Sequence, residues 1–252
     1  MNYLQRISRI LAISVAVNLF SCSFIGEENK TAITPDLPKK SHLQERLLFI
    51  GDSHSVGVFG RTLTALLEQN FPELKITAVA SCGSEPRWWL EGKMTNCGFW
   101  MHEPNGFENK VLKASTPKLD DLLNQIKPKI TIVALGSNLV LMSKEDREAY
   151  TETMMAMLEN KGGECIWISA PDSRKFKAAE IESVYELLKK LSKLHHCKLI
   201  DSRNHTKYPS SGGDGLHYGG KEGTSIATQW AEKVFNHLKP TLSKSLERHI
   251  DR

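Results

Sequence analysis

The sequence predicts an α/β fold: a three-layer αβα sandwich around a five-stranded parallel sheet. Three observations predict it. From Arg46 onward, short apolar runs alternate with longer amphipathic stretches. The runs are rich in Ile and Val and nearly continuous in apolarity, as strands buried on both faces require. Each amphipathic stretch follows a run, which places right-handed crossover helices on both faces of the sheet.

The elements follow in chain order. Leu47 to Ile50 is the first strand, Val56 to Asn70 the first helix and Ile76 to Ala80 the second strand. Ser81 to Pro117 exceeds ordinary loop length, so it is either a functional lid or carries short elements that show no periodicity. Leu119 to Ile126 (helix), Ile130 to Leu135 (strand) and Lys144 to Asn160 (helix) come next. Cys165 to Ser169 (strand), Lys177 to Leu194 (helix), Lys198 to Ile200 (strand) and Thr224 to Leu238 (helix) complete the series. A sandwich of this order is of flavodoxin-like kind. No internal repeat is visible.

Ahead of these elements the chain reads differently. Arg6 and Arg9 precede an apolar run from Ile10 to Phe20, too short for a membrane span and right for the core of a secretory signal. Leu19, Phe20, Ser21, Cys22 resembles the lipobox of bacterial lipoproteins, in which the Cys becomes the lipidated N-terminus. Phe20 replaces the usual small residue, so cleavage by ordinary signal peptidase, with Cys22 lost or free, is the alternative. The partition is therefore a signal peptide at 1–22, a polar tether at 23–44 containing Pro35 and Pro38, and one folded domain at 45–252. A lipid on Cys22 would hold that domain at a membrane.

The net charge of +4 is spread among acidic residues, so a nucleic-acid partner is not implied. A mildly basic surface suits an anionic envelope polymer or simple solubility. Of five cysteines, Cys22 would be used by the lipid, leaving Cys82, Cys97, Cys165 and Cys197, an even set in an oxidising compartment. Cys82 and Cys97 share the long loop, while Cys165 and Cys197 open two strands that can lie side by side, so two bridges are expected. Zinc would need ligand spacings that do not occur here.

Chemistry is expected at the carboxyl ends of the strands, where loops and helix N-termini converge. Gly51, Asp52, Ser53, His54, Ser55 follows the first strand and leads into a helix, a turn that holds a hydroxyl above the sheet. A serine nucleophile needs a base oriented by a third group. Asp214 and His217, spaced so that one loop turn presents both, are the candidates.

Together these segments resemble the SGNH (GDSL-like) hydrolase family. Gly51, Asp52, Ser53 matches its first block, and Gly83 its second. Gly136, Ser137, Asn138 matches the third, and Asp214 with His217 the last; the resemblance runs from Arg46 to Leu238. It implies Ser53, Asp214 and His217 as catalytic residues, with the Ser53 and Gly83 N–H groups and the Asn138 amide as the oxyanion hole. Leu139 stands where the family commonly has Asp, so the Asn138 amide relies on another partner for its orientation. His54 after the nucleophile looks like SGNH domains that modify acetyl groups on envelope sugars.

The implied activity is ester hydrolysis through an acyl-enzyme, on acylated carbohydrate, with neither metal nor organic cofactor required. Transfer to a sugar acceptor, lipase activity and non-catalytic glycan binding by an envelope lipoprotein are the alternatives. The polar segment Ser210 to Gly220 gives no support to a lipase groove. Trp88, Trp89 and Trp100, with His54, are candidate substrate contacts, since indole faces stack on sugar rings; the tryptophans equally suit a small core for the long loop, Trp88 above all. Asp52 is expected to support the turn. His195 and His196 read as a solvated helix end, and Asp172 as pocket lining or part of an ordinary turn.

Overall fold

The computed structural model describes residues 45–247. The signal at 1–22, with Cys22, the tether at 23–44 and residues 248–252 lie outside the described residues. Strand β1 (Arg46–Gly51) is followed by α1 (Ser53–Val56), α2 (Val58–Asn70), β2 (Lys75–Ser81) and α3 (Pro86–Glu91). Next come β3 (Met94–Thr95), β4 (Phe99–His102), β5 (Glu108–Val111), β6 (Ala114–Ser115), α4 (Leu119–Ile126) and β7 (Ile130–Ala134). A 3₁₀ turn (Ser137–Leu141), α5 (Lys144–Lys161), β8 (Glu164–Ile168), α6 (Ala178–Leu194), β9 (Lys198–Ile200) and α7 (Gly220–Glu247) complete the order.

The main sheet has seven strands in the order β5-β4-β2-β1-β7-β8-β9, not five. The five anticipated strands form its parallel part, with Phe49 facing Ala78 on one side and Ile132 on the other. Both additional strands are antiparallel and come from the stretch between Ser81 and Pro117: β4 pairs with β2, and β5 with β4. The same stretch supplies α3 and the small β3-β6 sheet. β4 (FWMH) is apolar and largely buried but only four residues long, whereas β5 (ENKV) carries no apolar run because it is an exposed edge.

Alternation along β1 feeds two cores. Leu47 and Phe49 pack with Phe59, Leu63 and Trp230 on the α2/α7 side. Leu48 and Ile50 pack with Leu119, Met154 and Leu188 on the α4/α5/α6 side. Helix α7 runs beyond the expected Leu238 and through Pro240. Proline costs a helix one backbone bond, and here buried Leu242 keeps the following turn packed.

Both expected bridges are present, Cys82–Cys97 and Cys165–Cys197. The first ties the end of β2 to the start of β4; the second ties β8 to the residue before β9. His196 is exposed as expected of a solvated end, but His195 is not: its Nδ1 lies 2.9 Å from Glu159 of α5. Among the described residues no helix is long and apolar enough to cross a membrane.

Candidate active site

The site forms where β1, β2 and β7 end. At the tip of β1, the buried Asp52 caps α1, its carboxylate accepting the His54 N–H at 2.9 Å. Burial pushes this carboxyl up to about 7 despite the hydrogen bonds it receives from the backbone and the charge of His217. Asp52 is thus a structural residue of the turn. Ser53 is the first residue of α1, a position whose N–H precedes the intrahelical ladder.

The loop between β9 and α7 brings the partners. His217 Nε2 lies 2.9 Å from Ser53 Oγ, and Nδ1 lies 2.5 Å from Asp214 Oδ2. The second carboxylate oxygen, Oδ1, accepts the backbone N–H groups of Leu216 (2.9 Å) and His217 (2.7 Å). Partial burial alone would raise the Asp214 carboxyl, but the bonds from His217 and Leu216 hold it well below the usual carboxylate range. The carboxylate is therefore ionised when the imidazole needs it.

Residues that sequence reasoning missed hold this loop. The Tyr208 hydroxyl accepts the Gly215 N–H (3.1 Å) and donates to the His217 carbonyl (3.0 Å). Arg174 donates to the carbonyls of Pro209 (2.8 Å) and Gly212 (2.6 Å), and Ser173 Oγ donates to that of Gly215 (2.9 Å). Asp172 proves to be part of this clamp and not pocket lining: its carboxylate accepts the Tyr208 N–H at 2.7 Å. The only local sequence signal was the glycine content of the loop, which announces a chain in need of outside support.

Gly83 and Asn138, the other residues expected at the oxyanion hole, stand in the turns after β2 and β7. Gly83 has φ +83°, a conformation that a side chain would strain, so its residue type fits the turn that orients its N–H. Gly136, before the third block, approaches Ala170 so closely that a Cβ would stand 2.3 Å from the Ala170 nitrogen. The Asn138 amide donates to the Ser84 carbonyl at 2.9 Å, which supplies the partner that Leu139 does not. An amide nitrogen has a second hydrogen, so this bond leaves one donor free.

The tryptophans divide. Trp89 and Trp100 are 0% and 1% exposed, so neither can touch a substrate. Trp89 Nε1 donates to Ser84 Oγ, and Trp100 fills the core beneath β4. Trp88 is half-buried instead and lines a groove of about 290 Å³ with Gly83, Glu85, Arg87, Asn138 and Met142. His54 is also corrected: it is 7% exposed and turns inward, its Nε2 lying 3.2 Å from Ser137 Oγ. Burial, then the nearby charge of His217, pushes its imidazole down to about 3, so the ring stays neutral.

The fold is that of the SGNH-type esterases. TesA superposes with a TM-score of 0.57 at 16% identity, over 78% of this chain and 99% of TesA. Axe2, an acetylxylan esterase from Geobacillus stearothermophilus, gives 0.50 at 17% identity, over 76% of this chain and 94% of Axe2. A catalytic mutant of Axe2 gives 0.52 at 14% identity, with the same coverage. No protein-family model and no curated protein sequence matches the chain.

Proposed function

We propose that this chain is a serine ester hydrolase in which Ser53 is the nucleophile, His217 the general base and Asp214 the group that orients it. The observation that carries this reading is the continuous line from hydroxyl to imidazole to carboxylate, at 2.9 and 2.5 Å. An ionised Asp214 facing Nδ1 fixes the proton there and leaves Nε2 to accept the hydroxyl proton. The fold shared with SGNH-type esterases supports the same assignment.

Ser53 Oγ bonds to the ester carbonyl carbon as His217 takes its proton, and the carbonyl electron pair moves onto oxygen. The Ser53 and Gly83 N–H groups and the free Asn138 amide hydrogen receive that oxyanion. His217 then gives its proton to the departing alkoxide as the carbon–oxygen bond breaks, leaving acyl-Ser53. In the second half-reaction water bonds to the acyl carbon as His217 takes its proton; the bond from that carbon to Ser53 Oγ then breaks, His217 returns the proton to Oγ and the carboxylic acid leaves.

Hydrolysis is favoured over acyl transfer by access. The His217 side chain is 45% exposed, whereas transfer to a sugar acceptor demands exclusion of water from the acyl-enzyme. The substrate class is a short acyl group on carbohydrate, for which the groove offers the Trp88 ring and the polar groups of Arg87 and Ser143. An acetylxylan esterase of the same fold supports this class. Two disulfides support export, and lipidation of Cys22, with the partition at residues 22 and 44, belongs to the same proposal.

Labelling with a fluorophosphonate tests the assignment. The native protein is expected to take one label, on Ser53, and Ser53→Ala none; acetate release from acetylated glycan is expected to stop in the same variant. A folded native protein that stays unlabelled, or a variant that still deacetylates, overturns it.

A further inference from the structure

Beside the Gly136 N–H on the Asp52 carboxylate and the Ser84 hydroxyl on the Gly51 carbonyl, two hydrogen bonds made by side chains at or next to the candidate oxyanion donors cross between the three turns. One is the Asn138 amide on the Ser84 carbonyl, from the third turn to the second. The other joins His54 Nε2 to Ser137 Oγ at 3.2 Å, from the third turn to the first. His54 directly follows Ser53, and Ser137 directly precedes Asn138. The chain thus carries a neutral buried bond one residue away from each of two donors that have to meet at a single oxygen.

The setting of this bond is rigid. The His54 ring stands edge-on to Trp230 with centroids 5.5 Å apart and lies 5.6 Å from the His217 ring. The space left among Asp52, His54, Ser137, Ala170 and Trp230 is about 10 Å³, at the lower limit for one water molecule. Leu139 offers no carboxylate to steady the third turn; the Gly136 N–H on the Asp52 carboxylate holds its start, and the bond to His54 is the tie at Ser137, next to Asn138.

We infer that His54 is a positioning residue: through Ser137 it sets the Asn138 amide against the Ser53 N–H, and it does not contact substrate. The inference rests on the esterase reading above for its kinetic consequence and stands on its own for its geometric one. A group displaced by about 1 Å costs on the order of 10²-fold in rate, and that loss falls on kcat because the oxyanion exists only in the transition state.

The test compares His54→Phe, Ser137→Ala, the double variant and His54→Gln, with 4-nitrophenyl acetate as probe. Phe keeps the ring against Trp230 and removes the nitrogen, while Gln can return an amide to the place of Nε2. Each disrupting variant is expected to lose kcat by roughly 10- to 100-fold with little change in KM. The double variant should lose no more than the worse single one, and Gln should recover most of the rate. The side-chain amide resonances of Asn138 in ¹⁵N-labelled protein, assigned by their absence in Asn138→Asp, should shift in both disrupting variants and return with Gln. Multiplying losses, a rise in KM at constant kcat, or Asn138 resonances indifferent to His54 and Ser137 would overturn the inference. If His54→Phe fails to fold, Ser137→Ala carries the test alone. Were the native protein to show no Ser53-dependent turnover, the esterase reading would fail, while the Asn138 resonances would still decide the brace.

Discussion

Asn138 donates its side-chain amide to the carbonyl of Ser84, 2.9 Å away and 54 residues earlier in the chain. That bond spends one amide hydrogen on orientation and leaves the other free for the oxyanion role proposed above. Asn138→Ala removes both. The expected loss is about 10² to 10³ in kcat with KM nearly constant, the usual effect of deleting one oxyanion donor. Steady-state kinetics on a short-chain ester checks it; a loss in KM alone would place Asn138 in substrate binding instead.

Asp52 and His54 make opposed contributions to stability against pH. Burial raises the Asp52 carboxyl from 3.8 to about 7, so between these values the folded chain keeps a proton that the unfolded chain has released. Stability from this group therefore falls as pH rises through that window. His54 is lowered from 6.5 to about 3, so there the unfolded chain holds the extra proton and stability rises with pH. Between 3.8 and 6.5 the two slopes oppose each other. Asp52→Asn, whose amide oxygen can still cap α1, should expose a rising profile across that window, and His54→Phe a falling one. Urea midpoints measured against pH distinguish these from parallel profiles, which would contradict both assignments.

What the sequence made legible follows from where each residue gets its structure. Leu47 to Ile50 could be read as a buried strand because alternate side chains feed two cores, and both cores demand apolar residues. Glu108–Val111 could not, because an exposed antiparallel edge is satisfied by its backbone pairing to β4 and accepts any side chain. Ser53, Asp214 and His217 stand in short local blocks whose spacing carries their geometry. Tyr208, Ser173 and Arg174 reach the same loop only through contacts that the fold creates, and no spacing announces them. Trp89 and Trp100 stand in the long stretch that follows Gly83, a place that suits sugar contact and a local core equally; burial is the outcome for both.

The two disulfides should respond differently to a reductant. Cys97 is exposed, whereas Cys165 and Cys197 are both buried. A dithiol should therefore open Cys82–Cys97 first, and alkylation followed by peptide mapping should recover those two thiols before the others. Cys82 precedes Gly83, so loosening this bridge should also lower turnover. The bridge closes a span of 15 residues, a loop for which the chain-entropy contribution is about 3 kcal/mol. Cys82→Ser with Cys97→Ser should lose stability of that order in denaturant unfolding. Equal reactivity of all four cysteines, or turnover untouched by opening Cys82–Cys97, would refute the coupling.

Asp214 and the imidazole it faces are open to solvent, with side chains 55% and 45% exposed. In a buried triad, replacing the carboxylate by an amide costs about 10⁴-fold in kcat, because the imidazole takes the wrong tautomer and nothing else can correct it. Here water can reach Nδ1 once the carboxylate is gone and can also take over the Leu216 and His217 N–H groups that Oδ1 accepts, while Tyr208 and Ser173 still hold the His217 and Gly215 carbonyls. Asp214→Ala should therefore be less damaging than Asp214→Asn: the alanine lets water accept the Nδ1 proton, while the amide can present its own N–H to that nitrogen and force the proton onto Nε2. The order of the two variants in kcat is the measurement. If alanine proves the worse, the carboxylate acts by charge on the imidazolium more than by fixing its tautomer.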